Sequence, residues 1–164
     1  GNIYYRENQA MRFFDKMKDW KEEKVVFGSW LRTKERREFS QQFESFKFYG
    51  SCNHNLAVPL MHAANSTLHI LPDFAMDRGL MTARVFTSQM AHCLCFCDSK
   101  IYGADQFFPP ELLVKDGKEL AKKYKQYINK RSVTTILAKR DELMKDHTVE
   151  NRAYQFVELL RHYA

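Results

Sequence analysis

An all-α domain of six or seven helices, packed as one compact unit over residues 1–164 around a central apolar helix at about 80–97, is the fold that the sequence predicts. Three observations predict it. Apolar residues recur at steps of three and four through both ends of the chain, the spacing that gathers them on one helical face. Charge is unevenly spread: residues 51–114 carry 3 basic and 5 acidic side chains, against 11 and 8 in residues 1–50 and 12 and 7 in residues 115–164. Charged groups are rarely fully buried, so the sparsely charged middle predicts the buried heart. Between Leu80 and Cys97, finally, apolar side chains fall nearly all round the helical wheel, as on a helix enclosed by others.

Each element follows from its own pattern. Ala10, Phe13, Phe14, Met17 and Trp20 share a face and predict a helix over 7–24. Val25-Val26-Phe27 breaks that spacing, and Gly28-Ser29 marks a turn. Phe39, Phe43 and Phe46 predict a second helix over 33–48, with Gly50 where a C-cap glycine belongs. Pro59 opens a short uncharged helix through Leu60–Ala64. Leu68-His69-Ile70-Leu71 is a strand or an extended link, and Pro72 suits the first turn of a following helix because its missing N–H costs nothing there. On the central helix Phe86, Met90, Leu94 and Cys97 are expected to be fully buried. Gly103 and Pro109-Pro110 bracket a loop that holds Phe107 and Phe108. The last third reads as helices over Leu120–Ile128, Val133–Met144 and Val149–Tyr163, with Ser132 and Thr148 as N-caps.

Composition removes several classes. The chain is 45% hydrophobic and 14% aromatic, which excludes a disordered segment, since such segments lack the apolar surface that drives collapse. Its longest stretch without Asp, Glu, Lys or Arg, residues 48–72, contains Asn53, His54, Asn55, Pro59, Asn65 and Ser66 and is too polar for a membrane span. The start at Gly1, without an initiator Met, predicts that preceding residues were removed.

His92-Cys93-Leu94-Cys95-Phe96-Cys97 brings together metal-ligand types, but structural zinc sites pair their ligands at two separated intervals and only Cys52 and distant His residues remain to complete a set. These thiols are therefore expected to act as small apolar groups. His54, His62, His69 and His92 are conceivable haem ligands, but the sequence offers no convincing distal-side arrangement. No metal, haem or other cofactor is expected. Asp73 and Asp77 could pair as carboxylates, and more simply decorate the first turn of a helix. Asn65-Ser66-Thr67 matches a glycosylation acceptor by chance spacing. The glycine motifs of phosphate-binding loops and the serine elbow of hydrolases are absent from the sequence.

Gly1-Asn2, Tyr4-Tyr5 and Glu7 resemble a short stretch of a small accessory subunit of mitochondrial complex I. The likeness covers seven residues and nothing is carried over from it.

With 23 aromatic residues, 13 Phe, 8 Tyr and 2 Trp, the chain has more than one core of this size obviously needs, and aromatic groups are enriched at interfaces. The sequence thus predicts a non-catalytic helical subunit or adaptor that binds other proteins in a larger assembly, a mitochondrial complex among them. Tyr4, Tyr5, Trp30, Phe107 and Phe108 are the interface candidates. The alternative is a basic nucleic-acid-binding domain, since the net charge is +6 and Arg36, Arg37, Lys118, Lys122, Lys123 and Lys125 lie in two basic clusters, one of them interleaved with Tyr124 and Tyr127. Three thiols within five residues cannot all pair with one another, which predicts a reducing compartment: mitochondrial matrix, cytosol or nucleus.

Overall fold

The computed structural model describes residues 6–28, 32–79 and 81–163. It corrects the all-α expectation: the chain is mixed α/β, with two parallel sheets. Helix α1 (Glu7–Phe14) leads through a 3-10 turn to β1 (Lys24–Phe27), then α2 (Lys34–Gln41) and β2 (Phe46–Tyr49). Next come α3 (Ala57–Ala63), β3 (Ser66–His69), α4 (Asp73–Met76), α5 (Ala83–Met90) and β4 (Leu94–Asp98). The chain closes with β5 (Leu113–Val114), α6 (Gly117–Tyr127), α7 (Lys130–Met144) and α8 (Val149–Tyr163).

The first sheet pairs β1 with β2, Lys24 opposite Phe46 and Phe27 opposite Tyr49. The second has the order β3-β4-β5, with Ser66 opposite Leu94, His69 opposite Cys97 and Asp98 opposite Val114. Parallel neighbours need a crossover: α2 lies in that from β1 to β2, α4 and α5 in that from β3 to β4, and two 3-10 turns in that from β4 to β5. All five residues of β4 are buried. Successive strand side chains point to opposite faces, so both faces of β4 are covered. Helix α5 packs on β3, β4 and α7, while α1 packs on α6.

The predicted central helix is two elements. Helix α5 stops at Met90, which is 72% exposed, and Phe86 is only half-buried. Leu94 and Cys97 are buried as expected, on a strand instead of a helix. An unbroken apolar run suits a strand covered on both faces as well as an enclosed helix, and here His92, at φ 50°, turns the chain from one into the other. The predicted helix over 7–24 ends at Phe14, and the β-branched Val25-Val26 goes into β1. The predicted helix over 33–48 divides into α2 and β2, so Gly50 follows a strand, although Phe39, Phe43 and Phe46 are all buried. Asn129, not Ser132, caps α7, accepting the Ser132 N–H at 3.0 Å. Thr148 accepts the Asn151 N–H at 3.2 Å, as a cap does. Among the described residues no helix is long and apolar enough to cross a membrane.

Candidate functional site

The edge of β1 not paired to β2 and the edge of β3 not paired to β4 line one cavity of about 730 Å³. Val25 and Val26 bound it from β1, Thr67 and Leu68 from β3, and Trp20 and Tyr124, in edge-to-face contact at 4.8 Å, from the helical side. The two sheets, β1-β2 and β3-β4-β5, are separate, and β1 and β3 both contribute to the lining. In parallel α/β folds ligands settle in crevices outside the carboxyl ends of the strands. A volume of this size is that of a small-molecule site.

Charged side chains of both signs line it: Glu22, Glu23 and Lys24 about the start of β1, and Arg6 and Arg84 elsewhere. Arg6, just ahead of α1, and Arg84, in the first turn of α5, both line the cavity, and neither has an acidic partner among the described residues. The Arg6 Nε is buried with no hydrogen-bond partner, and burial with the nearby Arg84 guanidinium lowers its pKa. His69 ends β3 and is 1% exposed, with neither ring nitrogen hydrogen-bonded. Burial first, then the charges of Arg84, Arg6 and Arg140, push the imidazole down to about 3, so it is neutral across the physiological range.

Arg140 of α7 is fully buried. Its guanidinium donates to the Val85 carbonyl and, at 3.0 Å, to Ser88 Oγ, and it lies 4.6 Å from the centre of the Phe108 ring. Its Nε and Nη1 have no partner. The nearby carboxylates are engaged elsewhere: Asp98 with Arg12, Asp73 with the Gln9 amide and Asp141 with the Gln89 amide. Buried cations without a counter-charge are costly unless an anion joins them. The Thr82 hydroxyl does not cap α5, whose first N–H groups also favour an anion. The arrangement can hold a doubly charged group, such as a diphosphate, at the end of β3.

The predicted site residues lie elsewhere. Tyr4, Tyr5 and Trp30 lie outside the described residues. Phe107 is half-buried, 4.3 Å from the His147 ring and 6.3 Å from that of Phe86, and Phe108 has no exposed surface to offer a partner. Arg36 is buried in α2 while Arg37 is exposed. Lys118, Lys122 and Lys125 are exposed along α6, whereas Lys123 is tied to the Pro110 and Leu113 carbonyls at 2.8 and 2.6 Å and to Glu119 at 3.4 Å. Cys93, Cys95 and Cys97 are buried, and burial pushes the Cys93 thiol up to about 12 and that of Cys97 upward too. Among the described residues no three His, Cys, Asp or Glu side chains are grouped to hold a metal ion. Sequence reasoning passed over Arg6, Arg84 and Arg140. For Arg84 the available signal was scarcity: with Arg78 and Lys100 it is one of three basic residues in the sparsely charged middle.

No family model and no curated protein matches the chain. Three solved structures do. Two are of T4 phage β-glucosyltransferase, one concerned with substrate binding and mechanism and one in complex with UDP-glucose. The third is of the DNA-modifying enzyme β-glucosyltransferase with and without uridine diphosphoglucose. TM-scores are 0.75, 0.73 and 0.75, and identities 14%, 15% and 14%. Each match covers 96% of this chain and 46–48% of the other, so the chain spans about half the length of the structures it matches. At this identity the likeness is one of fold. It overturns the expectation of a non-catalytic adaptor, because the fold shared is that of an enzyme, and it lends no support to an accessory subunit or a mitochondrial setting.

Proposed function

We propose that this chain is the donor-binding half of a glycosyltransferase, holding a nucleotide diphosphate sugar such as UDP-glucose in the cavity between β1 and β3. The observation that carries the reading is the pairing of Arg6 and Arg84, without acidic partners among the described residues, in the cavity between the two parallel sheets. The likeness to a fold whose solved members bind UDP-glucose supports it.

In glycosyl transfer the bond from the anomeric carbon to the diphosphate oxygen breaks, and its electron pair stays on that oxygen. A new bond forms from the acceptor oxygen, which loses its proton. Negative charge therefore grows on the leaving diphosphate, and fixed cations beside it lower the barrier. Arg84 and Arg6 would hold the two phosphates, with the first N–H groups of α5 adding to the field. Val25, Val26 and Leu68 would keep water from the donor. We assign the acceptor to the part of the matched enzymes that this chain does not span.

Calorimetric titration with UDP-glucose tests the reading. Saturable binding is expected, and Arg84→Ala should weaken it by about 10- to 100-fold, the worth of charge-assisted hydrogen bonds. No binding at millimolar donor, or binding indifferent to Arg84→Ala, would overturn it.

A further inference from the structure

The cavity between β1 and β3 is longer than a diphosphate, and its two ends offer different chemistry. Arg6, which lines it, immediately precedes α1, and Trp20, which also lines it, follows the 3-10 turn Asp15–Met17 that continues α1. A rise of about 1.5–2 Å per residue over that helix and turn separates the two by on the order of 15–20 Å. Arg84 enters from α5, which follows the carboxyl end of β3. Trp20, in contrast, precedes the amino end of β1, and Asn65, another lining residue, that of β3.

The Trp20 end is aromatic, with Trp20 and Tyr124 in their edge-to-face contact. The Tyr124 hydroxyl is engaged by the Asn65 side chain. The Trp20 N–H is not engaged: Nε1 is enclosed without a hydrogen-bond partner among the described residues, although an indole nitrogen is a donor only and normally finds an acceptor when buried. Charge at this end is unlike that at the other. Glu23 is tied to Lys47 at 2.6 Å, and Glu22 has no ion-pair partner among the described residues. The Lys24 ammonium donates to the main-chain carbonyls of Trp20 and Glu22. A phosphate is therefore repelled by the carboxylates here and drawn towards Arg6 and Arg84.

We propose that the Trp20–Tyr124 end is a base subsite that selects a carbonyl-bearing pyrimidine such as uracil. The base packs against the two rings, one of its carbonyls accepts from the Trp20 N–H, and the phosphates lie towards Arg6 and Arg84. This rests on the donor-binding reading for the diphosphate, though not for the base. Aromatic side chains tolerate any base, since every base has a π-face. The indole N–H adds the selectivity, because it favours a base that presents an acceptor to it and leaves the N–H unpaired with one that does not. Uracil carries two ring carbonyls and adenine none, so Trp20 is the residue that tells a uridine donor from an adenosine one.

The whole chain serves for the test, titrated calorimetrically with UDP-glucose, ADP-glucose, uridine and inorganic pyrophosphate. UDP-glucose is expected to bind about 3- to 10-fold more tightly than ADP-glucose, the worth of one neutral hydrogen bond. Trp20→Phe, which keeps a ring and loses the donor, should weaken UDP-glucose by that factor and remove the preference. Trp20→Ala, which also loses the ring, should weaken it by about 5- to 150-fold. Pyrophosphate binding should be the same in both variants and the wild type. Equal affinity for the two sugar nucleotides, or UDP-glucose binding indifferent to both Trp20 variants, overturns the proposal, while Arg84→Ala decides the donor reading separately. An equal loss of pyrophosphate binding in the Trp20 variants makes Trp20 a structural residue and overturns it too. If uridine binds and is weakened by Trp20→Phe while UDP-glucose is indifferent to Arg84→Ala, the donor reading falls and the base subsite stands. If neither UDP-glucose nor uridine binds, both fall.

Discussion

Gly117 begins α6 with α1 pressed on its α-carbon. A Cβ there would fall on the Phe13 carbonyl oxygen and 2.8 Å from Met17 Cγ. Gly117→Ala should therefore cost about 1–3 kcal/mol by overpacking, read as a lower urea midpoint with unchanged slope. Asp98 is wholly buried and paired with Arg12. Arg12→Ala strands that carboxylate and should cost about 3 kcal/mol in the same assay. His69 depends on pH in the same sense as a paired carboxylate, losing stability as the pH falls. Its folded value, about 3, lies below the ordinary 6.5, so the unfolded chain takes the proton first. Stability is full above about pH 6.5 and falls by about 1.4 kcal/mol per pH unit towards pH 3 on this account. His69→Gln should flatten that part of the acid-denaturation profile. None of these three roles was legible in the sequence, because each depends on a distant neighbour: Gly117 on Phe13, Asp98 on Arg12 and His69 on the strand that carries Cys97.

At the level of elements, what was legible was which side chains turn inward, and what was not was the period that carries them. Phe13, Phe14, Met17, Phe39, Phe43 and Phe46 are buried in one cluster, as their spacing implied, although Phe46 stands on a strand. Strands of four or five residues offer two or three alternations, too few to separate from a stretch of helix. In β4 alternation is absent altogether, because helices cover both faces and every position is apolar except the last. Helix α8 shows the reverse case. Its stripe was read correctly as helical, yet all its described side chains, Tyr154, Phe156 and Leu160 among them, are exposed. A chain ending at His147 should thus keep its thermal midpoint within the shift of about 0.5 kcal/mol that surface changes produce. A larger drop in a melting experiment would show that α8 carries part of the fold's stability.

For the molecule as a whole, the uneven charge was the most informative signal: the sparse middle of the chain supplies β3, β4 and much of the core. It marked what is enclosed without saying that sheets enclose it. If the donor reading holds, ligand binding stabilises the entire fold. UDP-glucose at about 100 times its dissociation constant should add about 2.7 kcal/mol and raise the melting temperature by a few degrees, and Arg84→Ala should cut that gain to about 0.4–1.4 kcal/mol at the same concentration. The division between β1 and β3 has a further consequence. Among the described residues no ladder of main-chain hydrogen bonds joins the two sheets, so the width of the space between them is set by side chains such as Trp20 and Tyr124. Strand registers are quantised in steps of a residue, whereas a side chain can be trimmed a methylene at a time. The size of what fits there can therefore drift by single substitutions while each sheet keeps its pairing, and relatives sharing this backbone are free to differ in the ligands they accept.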